Sequence, residues 1–228
     1  MVEKFDQIYQ RAAQRKGGEN QLEQLLSQPL TQQQIASIPE DRWLAEMTMK
    51  IFQSGISWQL VRDKWPNFEQ LFFQFRIDPL LMLSVEDWEQ KASDRSIIRH
   101  LAKVMSIPAN AQMIYQARAE HGSFGNMVAN WPAEQITDLW QYLKNHGNRL
   151  GGNTGPYALR HLGVDTFILS GDVEAYLRQQ KIIEGGKQTK RSLNAATAAF
   201  CQWQQESGRS FTEISPTIAF STGDNRVN

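Results

Sequence analysis

The sequence predicts an all-α chain. Apolar residues recur at three- and four-residue spacing through most of the 228 residues, and β-branched runs of period two are absent. Capping residues, glycines and prolines punctuate the apolar stripes at helix-length intervals.

The elements follow in order. Phe5, Ile8, Tyr9 and Ala12 share one helical face, and Arg15-Lys16-Gly17-Gly18 ends it. A short helix over Gln21–Leu26 stops near Pro29, and another runs Thr31–Ile38 with Thr31 as its N-cap. Trp43, Leu44, Met47, Ile51 and Phe52 make Asp41–Gln53 strongly amphipathic. Ser54-Gly55 breaks that helix, and Ser57 caps one carrying Trp58, Leu60, Val61 and Trp65. Pro66 is expected to turn the chain into a further helix with Phe68, Leu71, Phe72 and Phe75. More helices are expected over Val85–Lys91, Arg95–Met105, Ala109–Glu120, Gly122–Asn130, Pro132–Asn145, Pro156–Leu162, Asp172–Gln180 and Lys190–Glu206. Residues 217–228 read as a loose tail on one globular domain spanning 1–228.

Composition narrows the function. Lys plus Arg and Asp plus Glu both number 24, so bulk charge does not coat nucleic acid, although a local basic patch still can. Seven Trp and eleven Phe can build a large core or line a cleft for a flat aromatic ligand. One cysteine, Cys201, excludes an internal disulfide and a multi-cysteine zinc site, and His100, His121, His146 and His161 show no ligand spacing with it. No metal or other cofactor is expected. The N-terminal stretch is charged and amphipathic, and no apolar run reaches the ~18 residues of a membrane span. A cytoplasmic location without membrane association is the expectation.

The most informative stretch joins two helices, from His146 to Ala158, within a hairpin over about 136–162. Gly151, Gly152 and Gly155 let the backbone approach another molecule, and Pro156 suits the first turn of the following helix. Free amides at that helix start would hold a phosphate. A helix C-cap followed by a glycine-rich turn accounts for the same residues. The stretch resembles the helix-hairpin-helix motif, in which a Leu-x-Gly-x-Gly loop binds a DNA phosphate through backbone amides. Here Gly152 and Gly155 stand one residue further apart.

Two earlier segments extend the resemblance. Gln53-Ser54-Gly55-Ile56-Ser57-Trp58 comes first, followed by Ile97-Ile98-Arg99 with Lys103 and Asn110-Ala111. Lys144, Gly147, Gly152, Thr154 and Tyr157 then follow in the hairpin. In this order the segments resemble the DNA-3-methyladenine glycosylase I family over about residues 40–165. The resemblance implies a two-lobed helical DNA glycosylase fold. It implies a monofunctional hydrolase that flips an alkylated, 3-methyladenine-like purine from double-stranded DNA and cuts its N-glycosidic bond, acting as a monomer. A DNA-binding protein that recognises damage without cutting is the alternative.

The resemblance also places site residues. Trp58 is the base-pocket tryptophan, or a core residue; Tyr157 and Trp43 are further pocket candidates. Gly152, Asn153, Thr154, Gly155, Arg149 and Lys144 are candidates for gripping DNA. The family carries a base-recognising Glu eight residues before the pocket Trp, and this chain has Lys50 there. Glu46, one turn earlier on the same face, can supply the carboxylate, or simply pair with Lys50. Asp172 is the candidate for a second catalytic carboxylate, set at a helix start after the hairpin; Ser170 as N-cap with Asp172 as a first-turn acid is the other reading. The zinc that ties the family's termini through two Cys and two His is not expected here.

Overall fold

The computed structural model describes residues 2–223, and these contain helices and no strand. In chain order the helices are α1 Phe5–Arg15, α2 Glu19–Glu23, α3 Gln32–Ala36, α4 Glu40–Gln53, α5 Trp58–Leu71, α6 Ile77–Leu81, α7 Val85–Ser93, α8 Leu101–Val104, α9 Ser106–His121, α10 Phe124–Ala129, α11 Ile136–His146, α12 Thr154–His161, α13 Gly171–Gln179, α14 Lys190–Ser207 and α15 Phe211–Thr222. They fall into two compact units. The terminal unit comprises 1–30, 132–137 and 163–228; the central unit comprises 31–131 and 138–162.

In the terminal unit α15 packs on α1, α13 and α14. Phe167 stacks on Phe200 with centroids 4.1 Å apart, and Phe211 meets both rings edge-on. Such pairs add about 0.5–1.5 kcal/mol each beyond the area they bury. Residues 164–169 are irregular and mostly buried, and the sequence left them without an element. Buried irregular backbone needs partners. Ser215 Oγ supplies two, accepting from the Ile168 amide at 3.0 Å and donating to the Ile168 carbonyl at 3.3 Å. Asp165 accepts from the Thr212 amide at 2.8 Å, near the start of α15.

The tail expected from 217 onward is instead helical as far as Thr222, with Thr217 and Ile218 fully buried. Ser210 and Glu213 form a capping box that starts α15, and its apolar residues face the core from the first turn. The tail expected at 224–228 lies outside the described residues.

In the central unit α4 packs against α9 and α12, while α3 lies on α10. Pro66 does not turn the chain: α5 runs through it to Leu71. The lost amide is tolerated because Trp65 and Phe68 stack in parallel at 5.3 Å, holding both sides of the proline in one aromatic cluster. The turn comes later, where Phe73, Gln74 and Phe75 all adopt left-handed backbone angles. Arg42 holds the turn by donating to the Gln74 carbonyl at 2.8 Å, and Phe75 stacks on Trp65 at 5.4 Å. The helix expected over Arg95–Met105 shrinks to α8, and α9 begins earlier than expected, at Ser106.

Candidate base pocket and phosphate seat

Every residue that lines the two cavities beside the hairpin belongs to the central unit. The hairpin is shaped by contacts rather than by loop flexibility. Asn110, fully buried on α9, clamps it: its Oδ1 accepts from the Asn148 amide at 2.7 Å and its Nδ2 donates to the Asn148 carbonyl at 3.2 Å. Removing both bonds frees part-buried backbone groups of an exposed residue, at about 1 kcal/mol. Asn110→Ala is therefore expected to speed hydrogen exchange at Asn148; unchanged protection there would refute the clamp.

The helix start differs from the expected anion site. The Thr154 amide is taken by the Gly151 carbonyl at 3.3 Å and the Gly155 amide by the Leu150 carbonyl at 3.1 Å. Pro156 has no amide to offer. Thr154 and Gly155 thus do not present their amides to a phosphate. The open backbone donors lie just before α12, at Gly151 and Gly152. Gly152 has φ +64° and open space around its Cα, as a backbone exposed to a ligand requires.

One cavity of about 230 Å³ is lined by Lys50, Gln53, Ser54, Trp58, Asn153, Thr154 and Tyr157. Trp58 is 53% exposed and its ring is a wall, not a core contact. Lys50 is buried, with its ammonium 5.7 Å from the Trp58 ring centroid. That ammonium contacts Glu46 Oε1 at 3.1 Å and donates to Gln53 Oε1 at 3.2 Å. Glu46 does not line the cavity; it lies behind Lys50 and also meets His161 Nδ1 at 3.2 Å.

A neighbouring cavity shares Ser54 and Thr154 as walls and adds Ile51, Lys103, Arg149 and Gly151. Lys103 Nζ donates to the carbonyls of Ile51, Phe52 and Ser54 at 2.7, 3.2 and 2.5 Å, closing the C-terminus of α4. Burial, and then the Arg149 charge, hold its pKa below the ordinary lysine value. Arg149 takes a left-handed backbone angle and donates from Nε to the Ala102 carbonyl at 2.9 Å. Lys144 is exposed, its stem lying beside Gly151.

Two expected residues sit elsewhere. Trp43 is fully buried and meets Phe124 edge-on at 5.2 Å, so it is a core residue and not a pocket wall. Asp172 lies in the terminal unit, in the first turn of α13, where Ser170 Oγ accepts from the Val173 amide at 3.3 Å. Its carboxylate packs against the backbone of Gly223. Gln53 and Ser54 were visible only as parts of the motif before Trp58; nothing in residue type marked them as cavity walls.

A larger cavity of about 520 Å³ in the terminal unit is lined by Lys4, Phe5, Tyr9, Glu206 and Arg209, among others. Two of its charged residues are engaged: Glu206 accepts from the Phe5 amide, and Arg209 pairs with Glu23 and Glu213. No described helix is long and apolar enough to cross a membrane.

Comparison with known proteins gives matches over part of the chain. The methyladenine glycosylase family model matches residues 35–149, half of the chain. DNA-3-methyladenine glycosylase 1 of Escherichia coli (strain K12) is 33% identical over 76 residues, 33% of this chain and 41% of that protein. The match thus spans about two-fifths of that relative's length. A solved 3-methyladenine DNA glycosylase I is 27% identical with a TM-score of 0.45, covering 57% of this chain and 83% of the other. That of Staphylococcus aureus, described in a study of 3-methyladenine recognition, is 20% identical with a TM-score of 0.49, covering 64% and 84%. By its match over residues 35–149, the chain belongs to the methyladenine glycosylase family.

Proposed function

We propose that the chain is a monofunctional DNA N-glycosylase, which takes a damaged purine flipped from duplex DNA and hydrolyses its bond to the sugar. One observation carries this reading. A cavity with an exposed tryptophan face shares the walls Ser54 and Thr154 with a cavity lined by Lys103, Arg149 and Gly151. A flat base suits the first, and the phosphate of its own or a neighbouring nucleotide suits the second. Extrusion costs a few kcal/mol of unstacking, which stacking on Trp58 offsets in part.

In the reaction the bond between C1′ and the base nitrogen breaks, and its electron pair leaves with the base. Water oxygen bonds to C1′ and gives up a proton: a cationic alkylated base leaves neutral and the proton passes to solvent, whereas a neutral purine takes the proton itself. Trp58, Tyr157 and Thr154 orient the base, while Arg149 and the Gly151 and Gly152 amides hold phosphate. Glu46 is a positioning residue that holds Lys50, since it does not border the cavity. Asp172 is a first-turn acid of α13, which Ser170 caps, and takes no step in this scheme. By family resemblance the substrate is an alkylated purine such as 3-methyladenine; the Lys50 wall bears directly on that choice.

The test is to incubate the protein with duplexes carrying single damaged bases and to separate released bases chromatographically. Free base with an alkali-labile abasic site is the expected result. Salt-sensitive binding without release supports the second reading, a non-cleaving damage binder, which Lys50 at the family's Glu position favours. No binding even at low salt would refute both. Arg149→Ala is expected to weaken binding equally across sequences and to lower the slope of log affinity against log salt by about one.

A further inference from the structure

The chemistry of Lys50 says more about the base. An ammonium has three donors and no acceptor. Gln53 takes one of them, Glu46 stands 3.1 Å away as an ion contact, and Lys50 itself borders the cavity. Gln53, itself buried, turns its Oε1 onto Lys50, so its Nε2 is left to donate. Two donors therefore stand on the wall beside the Trp58 face. The Lys50–Glu46 pair is close to neutral as a whole, but its positive end borders the cavity while Glu46 and its second partner His161 stand behind. A cationic 3-methylated adenine would meet a like charge there. Adenine would meet two donors with its own amine, leaving buried donors unmatched at about 1–3 kcal/mol.

We infer that this pocket takes a neutral purine bearing a ring carbonyl where adenine bears its amine, the class formed by hydrolytic deamination. This rests on the glycosylase reading above and replaces the alkylated base within it. The carbonyl accepts from Lys50 and Gln53, and the purine face lies on Trp58. Guanine carries the same carbonyl but pairs fully with cytosine, so extruding it costs more than extruding a mispaired deaminated base. A neutral base is also a poorer leaving group than a cationic one. The Lys50 ammonium answers that need, stabilising the electron pair that the base takes as the C1′ bond breaks.

Two measurements on the full chain separate this inference from the reading beneath it. Binding of free hypoxanthine and free 3-methyladenine is measured by calorimetry on wild type, Lys50→Gln and Gln53→Met, with circular dichroism confirming each fold. Wild type is expected to bind hypoxanthine about tenfold more tightly, the ratio that corresponds to one net hydrogen bond. Both variants are expected to erase most of that preference, Gln53→Met doing so with the lysine intact. Equal or reversed preference in wild type overturns the inference, as does a ratio unchanged in both folded variants. Release from duplexes carrying either base is followed in parallel. Release of 3-methyladenine in preference to hypoxanthine overturns the inference and leaves the glycosylase reading standing. A hypoxanthine preference in binding without release of either base supports the pocket assignment and overturns the glycosylase reading.

Discussion

Gly155→Ala is expected to cost about 2–4 kcal/mol and to disable the hairpin, although it adds only one methyl group. A Cβ at Gly155 would stand 2.7 Å from the Leu150 carbonyl oxygen and 3.2 Å from Leu143 Cδ1. The Leu150 oxygen is also the acceptor of the Gly155 amide, so it cannot retreat without breaking that bond. Gly147→Ala is tighter still: its Cβ would approach the Leu143 carbonyl at 2.7 Å and Asn110 Oδ1 at 2.8 Å, the atom that clamps Asn148. Gly152→Ala is the control. It meets nothing within 4 Å and bears only its positive φ, about 1–2 kcal/mol. Urea titrations should therefore shift the midpoint far more for Gly155→Ala than for Gly152→Ala with slopes unchanged. Equal shifts would show that close packing does not shape the hairpin.

Lys103→Met is expected to destabilise the central unit by about 1–3 kcal/mol, the cost of leaving buried acceptors without their donor. Three carbonyls converge on one ammonium at the end of α4, and Met offers none of its donors. The stem is replaced nearly isosterically, so the loss reports on the donors rather than on packing. Lys103→Arg should not restore stability, because a planar fork cannot direct three bonds from a single nitrogen. Calorimetric unfolding checks both variants; a Lys103→Arg protein as stable as wild type would show that charge alone suffices.

The sequence disclosed the helical class and much of this site for one physical reason: both depend on local pattern. The stripe of α4, the caps at Ser57, Ser170 and Thr31, and the glycine-rich hairpin are all set by neighbours in the chain. What it hid depends on distant partners. Trp43 and Trp58 are alike in type, yet Phe124 buries one while the other stays half-exposed. Pro66 looked like a breaker because the aromatic cluster that carries α5 through it comes from separate helices and a turn. The amides at the start of α12 looked free because the carbonyls that take them come from the loop folding back. Lys103 is only a motif residue in the sequence; its role appears when α4 supplies its three oxygens.

The division of the chain has a consequence for its synthesis. Translation proceeds from the N-terminus, and domains form as their residues emerge. Every residue of the central unit has emerged once residue 162 has cleared the ribosome. The terminal unit draws on residues 1–30 and 163–228, and α1 packs against α15. Phe5, Ile8 and Ala12 on α1 therefore have α2 beside them but lack the cover of α15 until residues 211–222 have emerged. The hairpin and its two cavities are complete while α1 is still unpartnered by α15.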